Sequence, residues 1–382
     1  MSFATPESAV AAARELAKGF ADTAERHDRT GEFPFANFER LRAAGLLNLT
    51  VPAIYGGSGL GLGAASGVIG TIAAGEPSTA LVLAMQYLFQ ATIARNAIWP
   101  EHIRERLARE SVAGMALINA LRVEPELGTP ARGGLPATTA TRTADGWRLA
   151  GRKIYATGIP VLRWLAVWAR TADTEPEVGW WLVPAAAPGV SVIETWDHVG
   201  MRATASHDVQ LDGVAVPADH AVDIRPPSAW GAPDADQAAW NAVIISALYD
   251  GIARAARDWL VGYLNARVPS NLGAPLASLP RFQAAVGEIE GLLLTNDRLL
   301  GSAAADVDEG RGITPSDVGL IKLAVTGNAI RAVESGLALI GNPGLSRHNP
   351  LERHYRDVLC SRIHTPQNDT ILNAAGRLAL GV

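Results

Sequence analysis

The sequence predicts a mainly α-helical chain with a β domain at its centre. Three observations carry this prediction. The Ala-rich first part has helical periodicity, and the middle alternates with period two between Gly, Pro and Asp breaks. After a Pro-rich linker, long amphipathic stretches return. The 382 residues suffice for two or three domains around a substantial core, and we divide them at 1–112, 113–226 and 227–382.

In residues 1–112, Pro6-Glu7-Ser8 opens one helix, and Phe38, Leu41, Ala44 and Leu46 mark another. Ser78 to Tyr87 is apolar on most faces, as a buried helix is. Between them Val51-Pro52-Ala53-Ile54-Tyr55-Gly56-Gly57 reads as a loop. It continues to Gly61 with G-x-G-like spacings, but a phosphate cradle needs a preceding strand and a βαβ unit, and neither is present.

In residues 113–226, Thr138 to Arg142 alternates, and Trp147 to Tyr155 reads as strand, turn and strand. Leu165 to Ala169, Gly179 to Val183, Val190 to Glu194 and Asp208 to Leu211 are further short strands. Strands at this spacing predict an antiparallel sandwich or barrel. Asn119 to Gly134 is a long loop whose Gly128, Arg132, Gly133 and Gly134 suit either a ligand-facing or a plain surface role.

In residues 227–382, the linker from Pro226-Pro227 to Pro233 leads into one long helix, Ala239 to Asn265. Phe282, Val286, Ile289, Leu293 and Leu300 stripe the next. Thr314-Pro315-Ser316-Asp317 supplies a cap, a first-turn proline and an acid at the positive end, so a third helix runs from there to Gly341. A last one begins near Asn349 or Leu351. Long helices on short loops predict a bundle.

A net charge of −5 argues against broad attraction to nucleic acid or anionic membrane. Cys360 is the only cysteine, so no disulfide forms within the chain, which fits a reducing cytosol. The N-terminus lacks a signal-peptide pattern, and no apolar run is unbroken enough to span a bilayer. A cytoplasmic protein without a metal site is expected.

The most informative stretch is Asn349-Pro350-Leu351-Glu352-Arg353-His354-Tyr355-Arg356-Asp357, followed by Ile363-His364-Thr365-Pro366-Gln367. It resembles the P-x-E-R-x-x-R-D and I-Y-E-G-T motifs of the acyl-CoA dehydrogenase superfamily. The resemblance implies the acyl-CoA dehydrogenase fold: an N-terminal helical domain, an antiparallel β sandwich or barrel, and a C-terminal four-helix bundle. It also implies a flavin (FMN or FAD), a small-molecule substrate and a homotetramer whose subunits share the flavin.

Further motifs support the resemblance. Gly151-Arg152-Lys153-Ile154-Tyr155-Ala156-Thr157-Gly158 is similar to G-x-K-x-W-I-T-N, which makes Tyr155 the wall of the flavin ring and Thr157, next to Gly158, the contact near its N5. Gly200-Met201-Arg202-Ala203-Thr204-Ala205-Ser206 resembles the end of the family's β domain. Arg267, upstream of Gly273 and Phe282-Gln283, matches the arginine that reaches the flavin pyrophosphate from the next subunit, although two extra residues precede the glycine. Of the family's Q-I-x-G-G-x-G-Y only Gly341 remains, with Leu337 and Ile340 replacing the glutamine and the first glycine. Gln367 closes the C-terminal segment as a further cofactor contact.

The departures concern chemistry. Thr365 stands where the family has its catalytic glutamate, and His364 stands where it has tyrosine. The alternative position for that base, aligned with Gln237 to Ala242, holds no carboxylate, and Asn241 replaces a substrate-binding arginine. His-Thr is similar to the flavin monooxygenase branch, the dibenzothiophene monooxygenase-like enzymes. There the histidine assists oxygen transfer or deprotonates substrate, work that suits a pKa near working pH. We therefore take His364 and Thr365 as catalytic in the oxygenase of a two-component monooxygenase. It would act on an aromatic or heteroatom substrate, and a separate flavin reductase would supply reduced flavin. A dehydrogenase with a displaced base, with Asp250 as candidate, is the alternative, and a non-catalytic scaffold is the third. Glu352, Arg353, Arg356 and Asp357 read as a structural ion network, and Cys360 as a packed thiol. His207, His348 and His354 have no comparable context.

Overall fold

The computed structural model describes residues 2–127, 134–231 and 234–382, so Gly128, Arg132, Gly133 and Pro233 lie outside the described residues. Helices come first: α1 (Pro6–Thr30), α2 (Phe35–Ala43), α3 (Leu62–Gly75), α4 (Pro77–Arg95) and α5 (Glu101–Ala113). Thr5 caps α1 in a reciprocal box with Ser8, and the helix buries Ala9, Ala13, Ala17, Phe20 and Ala24. α4 is buried nearly all round, as its apolar sequence requires. α3 and α5 were not among the predicted elements.

Eight strands follow: β1 (Leu117–Leu121), β2 (Thr139–Thr143), β3 (Gly146–Lys153), β4 (Leu162–Thr171), β5 (Val178–Pro184), β6 (Val190–Ile193), β7 (Asp208–Pro217) and β8 (Ala221–Arg225). They form one sheet in the order β6-β7-β3-β2-β4-β5-β8, with β1 also on β4. The antiparallel expectation needs correction, because β1 and β2 both pair with β4 in parallel. β1 arrives from the helices with apolar residues on both faces, as a strand inside a parallel pair does. The expected turn at Gly151 is instead a shift of register within a continuous β3. Gly151 has φ 150°, and a Cβ there would meet Thr138 at 2.6 Å, so only glycine fits.

The chain then returns to helix: α6 (Ala235–Ala266), α7 (Pro280–Asp308), α8 (Pro315–Ile340), the short α9 (Asn342–Leu345), α10 (Leu351–Leu359) and α11 (Asn368–Leu380). α6, α7 and α8 pack on one another, α10 lies against α6 and α8, and α11 lies against α8. α11 was not predicted. α8 is long and apolar enough to cross a bilayer by length and composition, although the sequence offered no unbroken apolar run. It packs against α6, α7, α9, α10 and α11 instead.

One junction joins the three zones. The Arg356 guanidinium on α10 donates to both carboxylate oxygens of Asp28 on α1, at 2.9 and 2.6 Å. It also donates to Glu352 and to the Val199 carbonyl of the β zone. Asp357 accepts from the Met201 amide at 2.7 Å rather than joining an ion pair, and Arg353 Nε has no partner, so the expected network is narrower than predicted. Arg356→Met strands a largely buried Asp28, and we expect a loss of about 3 kcal/mol in urea unfolding. Arg356→Lys keeps the charge without the fork and recovers only part of it.

Candidate active site

The site is built from two pieces, both fastened to α10. The first follows β3. Tyr155 takes φ 61°, a left-handed conformation uncommon for a bulky residue, and leaves 51% of its surface exposed. Its ring stands edge-on to Trp196 at 6.3 Å and to His198 at 6.2 Å, and these two stack on each other at 3.7 Å. His207 holds this loop by accepting from the Thr195 and Trp196 amides through Nδ1. Thr157 Oγ1 is 2.9 Å from Ser206 Oγ, which is 2.8 Å from Thr204 Oγ1. Asn119 donates to the Thr157 carbonyl at 3.1 Å. Gly158 has φ 78° and presses on Val82 of α4, where a Cβ would come within 2.5 Å.

The second piece is the turn after α10. His364 is partly buried, with its ring 5.8 Å from that of Tyr249 on α6, and Thr365 is exposed. Lys322 on α8, itself fully buried, donates to the carbonyls of His364 and Pro366 at 2.9 and 2.8 Å. The Tyr249 hydroxyl is buried without a partner. Burial pushes the His364 imidazole down to about 4, with the Lys322 cation adding to this, so the near-neutral pKa expected from the sequence needs correction: the ring is neutral and only weakly basic. Lys322 is itself lowered to about 8 by burial. Burial also raises Cys360 to about 12, so it is a packed, protonated thiol as expected.

The pieces meet at Gly200. A Cβ there would lie 2.5 Å from the Arg356 carbonyl and 2.9 Å from Cys360 Sγ, so the loop carrying Trp196 and His198 sits directly on α10. The other predicted residues stand apart. Arg267 is exposed at the end of α6, Gly341 ends α8, and Gln367 precedes α11. Among the described residues, no hydrogen bond or ring contact links these three to Tyr155 or His364. Asp250 accepts from Arg254 at 2.6 Å and from Asn296 at 2.9 Å, so its carboxylate is committed between α6 and α7.

The architecture and the motif positions can now be set against known proteins. Profiles of the acyl-CoA dehydrogenase N-terminal, middle and C-terminal domains match residues 6–107, 123–214 and 243–368. YdbM of Bacillus subtilis, provisionally named an acyl-CoA dehydrogenase, is 32% identical over 360 residues, covering 94% of this chain and 93% of its own. The chain belongs to the acyl-CoA dehydrogenase family. L-evernosamine nitrososynthase of a Micromonospora species is 31% identical over 353 residues, covering 88% of this chain and 81% of its own. Among solved structures, KijD3 in complex with FMN and a dTDP-linked 3-amino sugar superposes with a TM-score of 0.83 at 30% identity, covering 97% of this chain and 94% of that one. Relatives thus include both dehydrogenase-named proteins and nitrososynthases.

For a member of this family, sequence reasoning missed three groups. Lys322 continues the buried stripe of Val318, Val325 and Ala329, and a lysine on such a stripe was the available signal. Trp196 and His198 lie in an irregular loop without a periodic signal. Lys153 and Glu124 form a buried ion pair in which Glu124 also accepts from the Ala137 and Thr138 amides, a pairing that their motif positions did not announce.

These shifts predict a pH dependence. The folded pKa of His364 lies below the ordinary value near 6.5, so the unfolded chain binds more protons between about pH 6.5 and 4. Its contribution to stability is complete above that window and is lost as pH falls through it. Asp357, raised to about 6 mainly by burial, acts in the opposite sense. The difference in urea stability between wild type and His364→Gln isolates the first effect, and it should shrink on acidification from about pH 7 to 5. A difference independent of pH would contradict it.

Proposed function

We propose that this protein is a flavin-dependent monooxygenase, the oxygen-using half of a two-component system. The observation that carries the reading is the His364–Thr365 turn: a hydroxyl replaces the family's carboxylate, and a neutral imidazole stands beside it. Residues 361–368 contain no carboxylate, and Asp250 is already engaged by Arg254 and Asn296. Abstraction of an α-proton beside a thioester needs a free carboxylate, so the displaced-base reading loses its named candidate.

The β-side piece fits a flavin. Tyr155 offers an uncovered aromatic face, Thr157 and Ser206 offer hydroxyls, and His198 Nδ1 is buried without a partner. These groups suit a flat ring with polar edges. A reduced flavin held by these groups and delivered by a separate reductase would supply the electron pair that oxygen needs. One oxygen atom passes to the substrate and the other leaves as water, with the substrate supplying the second electron pair. Tyr155, Trp196 and His198 keep water from the ring face. His364, unprotonated at neutral pH, accepts the proton that a heteroatom substrate releases. The nitrososynthase and KijD3 relatives support an amine-bearing substrate over a thioester. Exposed apolar residues of the C-terminal helices, Leu294, Leu372, Leu378 and Leu380, support a homotetramer, in which Arg267 would reach a neighbouring subunit's flavin.

The test loads the protein with reduced FMN or FAD, adds oxygen, and follows oxygen uptake and oxygenated product over a panel of amines and aromatics. Tyr155→Ala should weaken flavin binding. His364→Ala should retain flavin and lower product formation by roughly 10²–10⁴-fold. Bleaching of the oxidised flavoprotein by an acyl-CoA would establish the dehydrogenase reading instead. A protein that takes up no flavin would be a scaffold.

A further inference from the structure

We propose that Lys322 is the positioning residue of the active-site turn: its ammonium grips the carbonyls of His364 and Pro366, on either side of Thr365, and so fixes where the imidazole stands. This rests on the reading of His364 as the acting base. Lys322 projects from α8 in the core of the helical zone and is 0% exposed. Lysine is almost never buried without a partner, and a buried charge is ordinarily matched by an opposite one. The chain does this at Lys153, which is paired with Glu124. Lys322 instead commits two donors to neutral backbone carbonyls. Leucine or methionine would continue the stripe of Val318 and Val325 without desolvating a cation. The lysine therefore serves the turn rather than the packing.

Two consequences follow for His364. Anchors on both sides of Thr365 restrict the backbone that presents the imidazole against Tyr249. The Lys322 cation also disfavours a second positive charge nearby, so it adds to burial in holding the imidazole neutral. The other groups facing this pocket are Tyr249 from α6 and, beyond its hydroxyl, Asp357 from α10 and Cys360 just after it. Tyr249 and Cys360 stay protonated and neutral at working pH, since burial raises both.

The experiment titrates the His364 imidazole by NMR in the full chain, with and without FMN, in wild type and three variants. Lys322→Met removes clamp and charge, Lys322→Gln keeps a donor without charge, and Lys322→Arg keeps both. We expect His364 to rise by roughly one unit in Lys322→Gln and further in Lys322→Met, and to stay near wild type in Lys322→Arg. The acid limb of the product-formation profile should move with it. An unchanged His364 titration in folded Lys322→Met or Lys322→Gln overturns the proposal. So does unfolding of both uncharged variants while Lys322→Arg folds, which would make Lys322 a stability residue only. If the variants shift the titration but His364→Ala retains full activity, the positioning role stands and the assignment of His364 as base fails.

Discussion

The Arg356 guanidinium binds Asp28 of the N-terminal helices, Glu352 on its own helix and the Val199 carbonyl of the β zone, while the adjacent Asp357 takes the Met201 amide. Both pieces of the candidate site adjoin this junction. Met201 ends the loop that carries Trp196 and His198, and α10 leads directly into the turn that carries His364. A planar fork suits this place because several acceptors from different elements converge on one side chain, which an ammonium on a flexible stem could not meet with the same geometry. Gly200 completes the contact, since a side chain there would collide with α10. The aromatic piece and the turn are thus held in register by backbone and charge together.

What was legible in the sequence follows from this physics. The Glu352–Asp357 stretch was readable because it resembles the family's P-x-E-R-x-x-R-D motif, and it marked the fold correctly. Its finer arrangement was not: Asp357 meets a backbone amide from the β zone, and no sequence pattern announces a partner of that kind. β1 escaped notice because five residues buried on both faces do not alternate. α11 escaped because only Ile371 is buried, so it has almost no stripe. The parallel pairings were hidden because strand order depends on connections that local periodicity does not encode.

At the candidate site, Tyr155, Thr157 and His364 were singled out because a resemblance pointed to their positions. The resemblance could not supply what surrounds them. Lys322 looks like an ordinary polar residue until α8 is seen to be packed on several sides. The Trp196–His198 stack arises from a loop whose shape is set by His207 and Trp196 hydrogen bonds. Asp250 was a reasonable candidate base by position, and only its bonds to Arg254 and Asn296 show it to be committed elsewhere.

The central claim is that this family member presents a neutral imidazole and a hydroxyl where acyl-CoA dehydrogenation needs a carboxylate. Exchange of the α-protons of an acyl-CoA with solvent deuterium, followed by NMR with the flavin-loaded protein, reads that base directly and does not depend on electron transfer. The account predicts no exchange above the protein-free rate. Catalysed exchange would contradict it.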